Sequence, residues 1–528
     1  MSCYVIAVGG TGNKILESIV YAACADAFYA ADGTPIPEIR LLSVDVDAAC
    51  GNTTRAKRAA EYYEQVRSTF AASPFERRCF HTRLRLTRWN MNLSRRASSV
   101  RQMSQNHSQD ELLARTLFSS AEAQLEYSEG FRGHPDLGVL FFADLLSTLD
   151  EKRAQGQPDE LNALLDEMEA DMARGETVHV MLCGSVFGGT GASGIPAISK
   201  YLHNRYQENS KLFVMGSMLM LPYYKVPPAN VNPEEEIAVD SDEFLDKART
   251  ALQYYGMESM IRDHEDDPSG VFDAVYLLGL PPEHFVSTRL YSTGSQSQEN
   301  DAHMLEWLAS RCIARFMRTG FRGADAHNID CYYYQWHTPA FGWASFDDDA
   351  ALYQSRYGAM IKAAAAYFAE CYPTLKQHVL HGGLRTRRVN YVAAFFRRLH
   401  RMPAAKRALA EEHLDALYHF FAFYVRWMRQ LILSLPPAMQ TANESEGILN
   451  AALLEKLDEV IQTGGKSACI QLEKNLNRLV ASAVPDRCGM SHVLCGLGGA
   501  ECPSREPTDA FACFLTALMD AVWEDMKA

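Results

Sequence analysis

The chain has 528 residues, of which 47% are hydrophobic and 22% charged, with a formal net charge of −14. That length supplies a large core spread over two or three domains in an ordinary soluble globular protein. The acidic balance argues against general nucleic-acid binding. Thirteen scattered cysteines with no signal peptide fit a reducing, cytoplasmic setting, and no charge-free apolar run reaches membrane-spanning length.

Taken in chain order, Tyr4 to Val8 reads as a first strand that runs into Gly9-Gly-Thr-Gly-Asn-Lys-Ile15 and then a helix to about Tyr29. Strand, glycine turn and helix form the first half of a nucleotide-binding α/β unit. The spacing is not the Gly-x-Gly-x-x-Gly of dinucleotide folds. Asn13 carries the side chain of a helix N-cap. A second strand, Ile39 to Val44, ends in Asp45-Val-Asp47. Acids at the carboxyl end of a strand face the ligand crevice of an open sheet, or cap the turn that follows. Arg77 to Arg101 holds eight arginines interleaved with Phe80 and Trp89. This is a nucleic-acid pattern in principle, but in so acidic a chain it reads as an exposed insertion or a protein-partner face. Gly130 to Gly138, Gly-Phe-Arg-Gly-His-Pro-Asp-Leu-Gly, is a Gly/Pro turn.

Val178 to Leu182 is a buried strand, followed by Cys183-Gly-Ser-Val-Phe-Gly-Gly-Thr-Gly-Ala-Ser-Gly194 and a helix from Ile195. Five glycines here let backbone amides approach a ligand, and the helix adds its positive dipole end, a geometry that holds phosphate. A side chain at Gly189 is expected to intrude on the phosphate oxygens. No Gly-Lys-Ser/Thr follows, so this is not a Walker loop. A fifth strand spans Lys211 to Leu221, an acidic loop carries Glu234 and Glu235, a helix runs from Ser241 to Ile261, and a sixth strand spans Phe272 to Leu278. Gln298 opens a helix to about Met317, with Asn300 at its start able both to donate and to accept. From Asp347 the chain is mainly helical, and Leu414 to Leu435 is apolar enough to be a core helix. Cys488, His492, Cys495 and Cys502 carry soft ligands at spacings foreign to zinc sites, so they are read as buried or loop thiols.

Gly188 to Gly194 resembles the signature Gly-Gly-Gly-Thr-Gly-Ser/Thr-Gly shared by tubulin and FtsZ. It has one departure, at Ala192 or at Phe187 according to the alignment. Gly9 to Ile15 resembles tubulin's Gly-Gln-Cys-Gly-Asn-Gln-Ile, Asp45 to Asp47 the Asn-Thr-Asp strand end of FtsZ, and Gly130 to Gly138 the FtsZ turn Gly-Ala-Gly-Ala-Asn-Pro-Glu-Val-Gly. All four stand in the family's order. The resemblance implies an α/β fold with a tubulin/FtsZ-like, Rossmann-type parallel-sheet domain over residues 1–320. It does not extend to residues 321–528, a mainly helical C-terminal domain.

It further implies GTP or GDP with Mg²⁺ as cofactors. Phosphate and metal contacts would fall to Gly9, Gly10, Thr11, Gly12, Asp45, Asp47, Gly133, Pro135 and Gly138. The signature adds Gly184, Ser185, Phe187, Gly188, Gly189, Thr190, Gly191 and Ala192. Asn13 and Asn300 would lie near the base, and Glu234 or Glu235 near the ribose. In this family an acidic loop of the next subunit polarises the hydrolytic water. The nearest match is Gly323 to Asp330, with Asn328 and Asp330 echoing its pattern and Asp330 as the catalytic residue. The implied protein is a divergent bacterial tubulin-like GTPase that assembles with itself into filaments or other oligomers. The alternative is a nucleotide-dependent scaffold that does not hydrolyse, with partners at the arginine-rich segment or the helical C-terminal part.

Overall fold

The computed structural model describes residues 1–47, 49–71, 79–91, 98–104, 108–206, 211–226, 241–257, 260, 270–287, 299–318, 330–333, 341–381, 390–396, 401–435, 447–482, 489–500, 502 and 506–523. Seven strands form one parallel sheet: β1 (Ser2–Val8), β2 (Glu38–Val44), β3 (Arg83–Arg88), β4 (Val178–Ser185), β5 (Phe213–Met220), β6 (Ala274–Leu278) and β7 (Asp330–Tyr333). Their spatial order is β3-β2-β1-β4-β5-β6-β7, so the order reverses between β1 and β4. The fold is thus a Rossmann-like α/β sheet joined to a helical part. β1, β4 and β5 are buried along their whole length, as the continuous apolar runs of a two-sided parallel sheet require.

Register decides where the chain leaves the sheet. Val8 of β1 stands opposite Val44 of β2 on one side and Gly184 of β4 on the other. The next residues, Gly9, Asp45 and Ser185, therefore emerge side by side at one edge, at the topological switch point where open α/β sheets bind ligands.

Helix α1 (Gly9–Cys24) begins directly after β1, and every residue in it except Gly10 is buried. It packs against β4 and against helix α2 (Gly51–Ala71). Around the cleft stand α3 (Pro135–Ser147), α4 (Gly189–Tyr206) and α5 (Met304–Arg318). The C-terminal part contributes α6 (Ala350–Ala366), α7 (Ala404–Leu433) and α8 (Pro507–Trp523). α7 covers the apolar run expected to be a core helix as far as Leu433 and starts ten residues earlier; it packs on α2, and α6 and α8 pack on it in turn. Tyr21 of α1 meets Trp427 of α7 with ring centroids 4.7 Å apart, and Trp307 of α5 meets the same Trp427 at 5.7 Å. One apolar core therefore runs from β1 through α1 into α7, and β7 joins the sheet from beyond residue 320.

The described centre of the arginine-rich segment is not an exposed insertion. Arg83 to Arg88 is the edge strand β3, and Phe80 and Trp89 at its two ends are fully buried. Leu84 alternates inward while Arg83 points out, and Arg85 pairs with Glu167. Period-2 alternation was present in Arg-Leu-Arg-Leu-Thr-Arg but was masked by its charge. Among the described residues no helix is long and apolar enough to cross a membrane, and the described cysteines are free thiols.

Because the two parts share this core, Trp427→Ala should cost about 3–5 kcal/mol. Urea unfolding followed by tryptophan fluorescence and by far-ultraviolet circular dichroism should show one coincident transition at lower denaturant. Two separated transitions would show instead that sheet and C-terminal helices unfold as independent units.

Candidate functional site

The carboxyl edge of β1, β2 and β4 opens into a cleft of about 1000 Å³, counted to its open mouth. Gly9, Gly10 and Thr11 form one wall, as the first turn of α1, and Gly188 to Gly191 form the facing wall, running into the first turn of α4. Two helix N-termini from neighbouring strands converge on the same space. Each presents free backbone N–H groups and the positive end of its dipole, an arrangement suited to an anion with several oxygens.

The glycines allow this convergence by removing side chains between backbones. Gly9 has φ +76°, and a Cβ on it would lie 3.2 Å from Gly191 N. On Gly191 a Cβ would stand 2.4 Å from Ser185 O. At Gly189 the expectation is corrected: a Cβ there would meet Phe131 Cβ at 2.6 Å and Gly133 N at 3.3 Å, so it would strike the neighbouring loop. Gly12, Gly184 and Gly138 do not line the cleft. Added Cβ atoms would collide with Cys183 O at 2.8 Å, Val8 O at 2.5 Å and Ser193 Cβ at 2.7 Å respectively, so these three permit close packing behind it. Pro135 occupies the first turn of α3, where its missing N–H costs nothing, and Ala192 sits in the first turn of α4; neither lines the cleft.

The loop from Gly130 to Gly133 closes one side. Gly130, Arg132 and Gly133 all have positive φ (80°, 45° and 81°), which for Arg132 is an uncommon conformation. Arg132 thereby lines the cleft. Opposite, Asp45 and Asp47 are both buried, 4% and 6% exposed. Burial first, and the Asp47 charge second, push the Asp45 carboxyl from 3.8 up to about 7. Asp45 Oδ1 accepts from the Asp47 amide at 3.3 Å and Oδ2 from the Thr53 hydroxyl at 3.3 Å. Two neighbouring carboxylates at a mouth that favours anions are a natural place for a hard cation, held directly or through water.

Asn13 does not line the cleft. It is 1% exposed, its amide donating to Gly9 O at 3.0 Å and its oxygen accepting from Ser43 Oγ at 2.6 Å. It pins the first turn of α1 to β2 and is not an N-cap. Asn300 does line the cleft: its N–H donates to Asn52 Oδ1 at 2.9 Å and its carbonyl accepts from Arg55 at 2.7 Å. Its side-chain oxygen is buried without a hydrogen-bond partner among the described residues.

Sequence reasoning missed Lys14, Arg132, Asn52 and the pair Tyr223 and Tyr224, all of which line the cleft. Arg132 was legible as the one cation inside a Gly-x-x-Gly turn. Lys14 follows the first glycine turn, but nothing marked it as facing a ligand. Asp330 opens β7 opposite Ala274 of β6, at the amino end of the parallel strands and hence at the far end of the sheet from the cleft. Glu234, Glu235, Asn328 and Cys488 lie outside the described residues. No group of three or more metal-ligating side chains occurs among the described residues, His492, Cys495 and Cys502 included.

No protein-family model and no curated protein matches the chain.

Gly10 separates steric from packing roles. A Cβ there would meet nothing closer than Asn52 Nδ2 at 3.7 Å, yet it would project into the cleft. Gly10→Ala should keep or slightly raise the melting temperature while weakening anion binding by calorimetry. Gly189→Ala should lower stability by about 1–3 kcal/mol. The reverse pattern would mean that the two glycine walls have been assigned the wrong roles.

Asp45 gives a pH signature. Its folded pKa of about 7 lies above the unfolded 3.8. The native state thus holds a proton that the unfolded state releases, and stability falls as pH rises from about 4 to about 7. Asp45→Asn should remove that fall and stabilise the ligand-free protein by about 2–4 kcal/mol at pH 8 but not at pH 4. Thermal melts across this range check it, and parallel curves for the two proteins would refute the shift.

Proposed function

We propose that the chain is a tubulin-like protein that binds a guanine nucleotide in this cleft and hydrolyses GTP when it assembles with further copies of itself. The observation that carries this reading is convergence in order. Gly9 to Thr11, Asp45 and Asp47, Gly130 to Gly133, Ser185 to Gly191 and Asn300 lie far apart in sequence yet line one cleft. They follow one another as the tubulin family's nucleotide loops do.

In this reading the amides of Gly10, Thr11 and Gly188 to Gly191 hold the phosphate oxygens, with Thr11, Ser185 and Thr190 hydroxyls beside them. Arg132 neutralises charge at the outer phosphate. Magnesium bound through water would screen the phosphates, and Asp45 and Asp47 would orient that water. Asp45 must give up its proton to do so, so cation-dependent binding tightens as pH rises towards 7.

Among the described residues that line the cleft, the carboxylates are Asp45 and Asp47, both on the metal side, and none is a histidine or glutamate that could serve as general base for an attacking water. In this reading the polarising group comes from a neighbouring copy, as the family resemblance implies, from the opposite end of its sheet. Asp330 opens β7 at that end. A head-to-tail contact of this kind closes rings or propagates filaments.

Specific GTPase activity should rise with protein concentration above a threshold. Asp330→Ala should reduce it at least about 100-fold without changing nucleotide affinity. A specific activity flat with concentration, with no larger species in light scattering, would replace assembly-coupled hydrolysis with a non-hydrolysing scaffold.

A further inference from the structure

A chamber of about 1320 Å³, counted to its open mouth as the cleft is, lies between α2 and the edge strand β3. Among the described residues it shares none of its lining with the cleft, yet it stands directly behind it. Three of its side chains hold cleft groups. Asn13 Nδ2 donates to Gly9 O at 3.0 Å, Thr53 Oγ1 to Asp45 Oδ2 at 3.3 Å, and the Arg88 guanidinium to Asp45 O at 3.2 Å. A single layer of side chains therefore separates the two spaces.

The chamber is graded from mouth to inner end. Thr54, Lys57 and Thr87 are exposed at the mouth, whereas Asn13, Ser43 and Thr53 are buried at the inner end. Leu84 and Leu86 of β3 and Ala60 of α2 supply an apolar stretch. The charges on its walls are already engaged. Lys57 pairs with Glu61 at 3.7 Å, Glu64 pairs with Arg67 at 2.9 Å and accepts from the Leu84 amide at 2.8 Å, and Arg88 is turned to Asp45. A charged occupant would have to break one of these pairs to find a counter-ion, so the chamber suits an uncharged one. Its hydrogen bonding also has a direction. The Ser43 hydroxyl donates to Asn13 Oδ1 at 2.6 Å, that of Thr53 donates to Asp45, and that of Thr54 to Cys50 O at 3.2 Å. A hydroxyl has one hydrogen and two lone pairs, so these three have lone pairs left to offer. They outnumber the single N–H that Asn13 retains beyond its bond to Gly9 O. A molecule ending in an acceptor would set lone pairs against lone pairs in a buried place.

We infer that this rear chamber is a second binding site, for an uncharged small molecule with an apolar ring body and a hydrogen-bond donor at its inner end, and that its occupant bears on the side chains that hold the cleft. The body lies against Leu84, Leu86 and Ala60, and the donor meets the hydroxyls of Ser43, Thr53 and Thr54. A mostly apolar cavity with a few convergent polar groups is the usual make-up of a small-molecule site. Because Asn13 and Thr53 line the chamber while bonded to Gly9 and Asp45, an occupant stiffens the first turn of α1 from behind. The inference does not depend on what the cleft itself binds.

The test uses two probes of one shape, indole and benzofuran, in which a ring N–H donor is exchanged for an acceptor oxygen. Binding to the full chain is titrated by saturation-transfer nuclear magnetic resonance. Indole should bind about fivefold to tenfold more tightly than benzofuran, the worth of one buried hydrogen bond. At saturating indole, hydrogen–deuterium exchange read by mass spectrometry should slow in residues 43–64 and 83–88, and also in residues 9–13. Thr54→Trp and Thr87→Trp block the mouth from α2 and from β3. Both positions are exposed, so both variants should fold, which melting curves check. Each should weaken indole binding at least about 10-fold. The site is refuted if the parent binds neither probe, if benzofuran binds as tightly as indole, or if both folded tryptophan variants bind indole unchanged. Slowed exchange outside residues 43–64 and 83–88 alone would place indole elsewhere and refute it too. Slowing there without any in residues 9–13 would overturn the link to the cleft.

Discussion

Everything at the cleft depends on how closely two backbones approach each other. β1 and β4 are adjacent parallel strands, and each turns into a helix within a few residues of its end. The two first turns meet where Gly9 faces Gly191, with the space for a Cβ only 3.2 Å from the opposing amide. Gly12 and Gly184 repeat the close approach one layer back, where helix lies on strand. Free N–H groups that would be a liability at any buried helix end are here gathered from two helices onto one point. The cleft is therefore part of how the sheet is wound. It could not be filled by side chains without forcing β1, β4 and their helices apart.

Around this rigid point the polar groups are held in balanced pairs. Glu17 and Arg55 are each 3% exposed and face each other across α1 and α2. Lys14 and Glu306 do the same across α1 and α5. Buried pairs of this sort add little net stability, since desolvation offsets most of the attraction, but they fix register strongly because either partner alone is costly. The segment before α5 is secured from two further directions. Gln430 Oε1 accepts from the Ala302 amide at 3.0 Å, and Ser434 Oγ from the Met304 amide at 3.1 Å. Gln430 belongs to α7 and Ser434 is its C-cap, so the C-terminal part caps the helix that carries one wall of the site.

Much of the sheet was legible in sequence, because parallel strands buried on both faces read as unbroken apolar runs between glycine turns. β1, β2, β4, β5 and β6 were found that way, and so was α7. β3 was not, since its alternation is carried by arginine and leucine and charge hid the strand. The loops of the site were legible from glycine, proline and paired acids, whose backbone roles are local. What each glycine does was not, because collision with Phe131 or with Ser185 depends on segments distant in sequence. Asn13 shows the same limit: its residue type suits a ligand contact or a cap, and only the neighbouring Ser43 decides that it is a brace. Lys14 and Tyr223 were invisible for the opposite reason, as common residues that become informative only when tertiary structure turns them towards a shared space.

One feature of α1 reaches beyond the cleft. Fifteen of its sixteen residues are buried, polar ones included, so it has no solvent side on which to relax. It is a shaft in a close-fitting sleeve: the sheet grips one side, α2 and α5 grip others, and the aromatic cluster of α7 locks its far end through Tyr21. A close-packed interior transmits displacement instead of absorbing it. A push of a few tenths of an ångström at Gly10 would therefore be delivered almost undiminished at Tyr21, more than two turns away, and from there to the outer helices. The tip of such a shaft is the place from which a small ligand could address a surface it never touches.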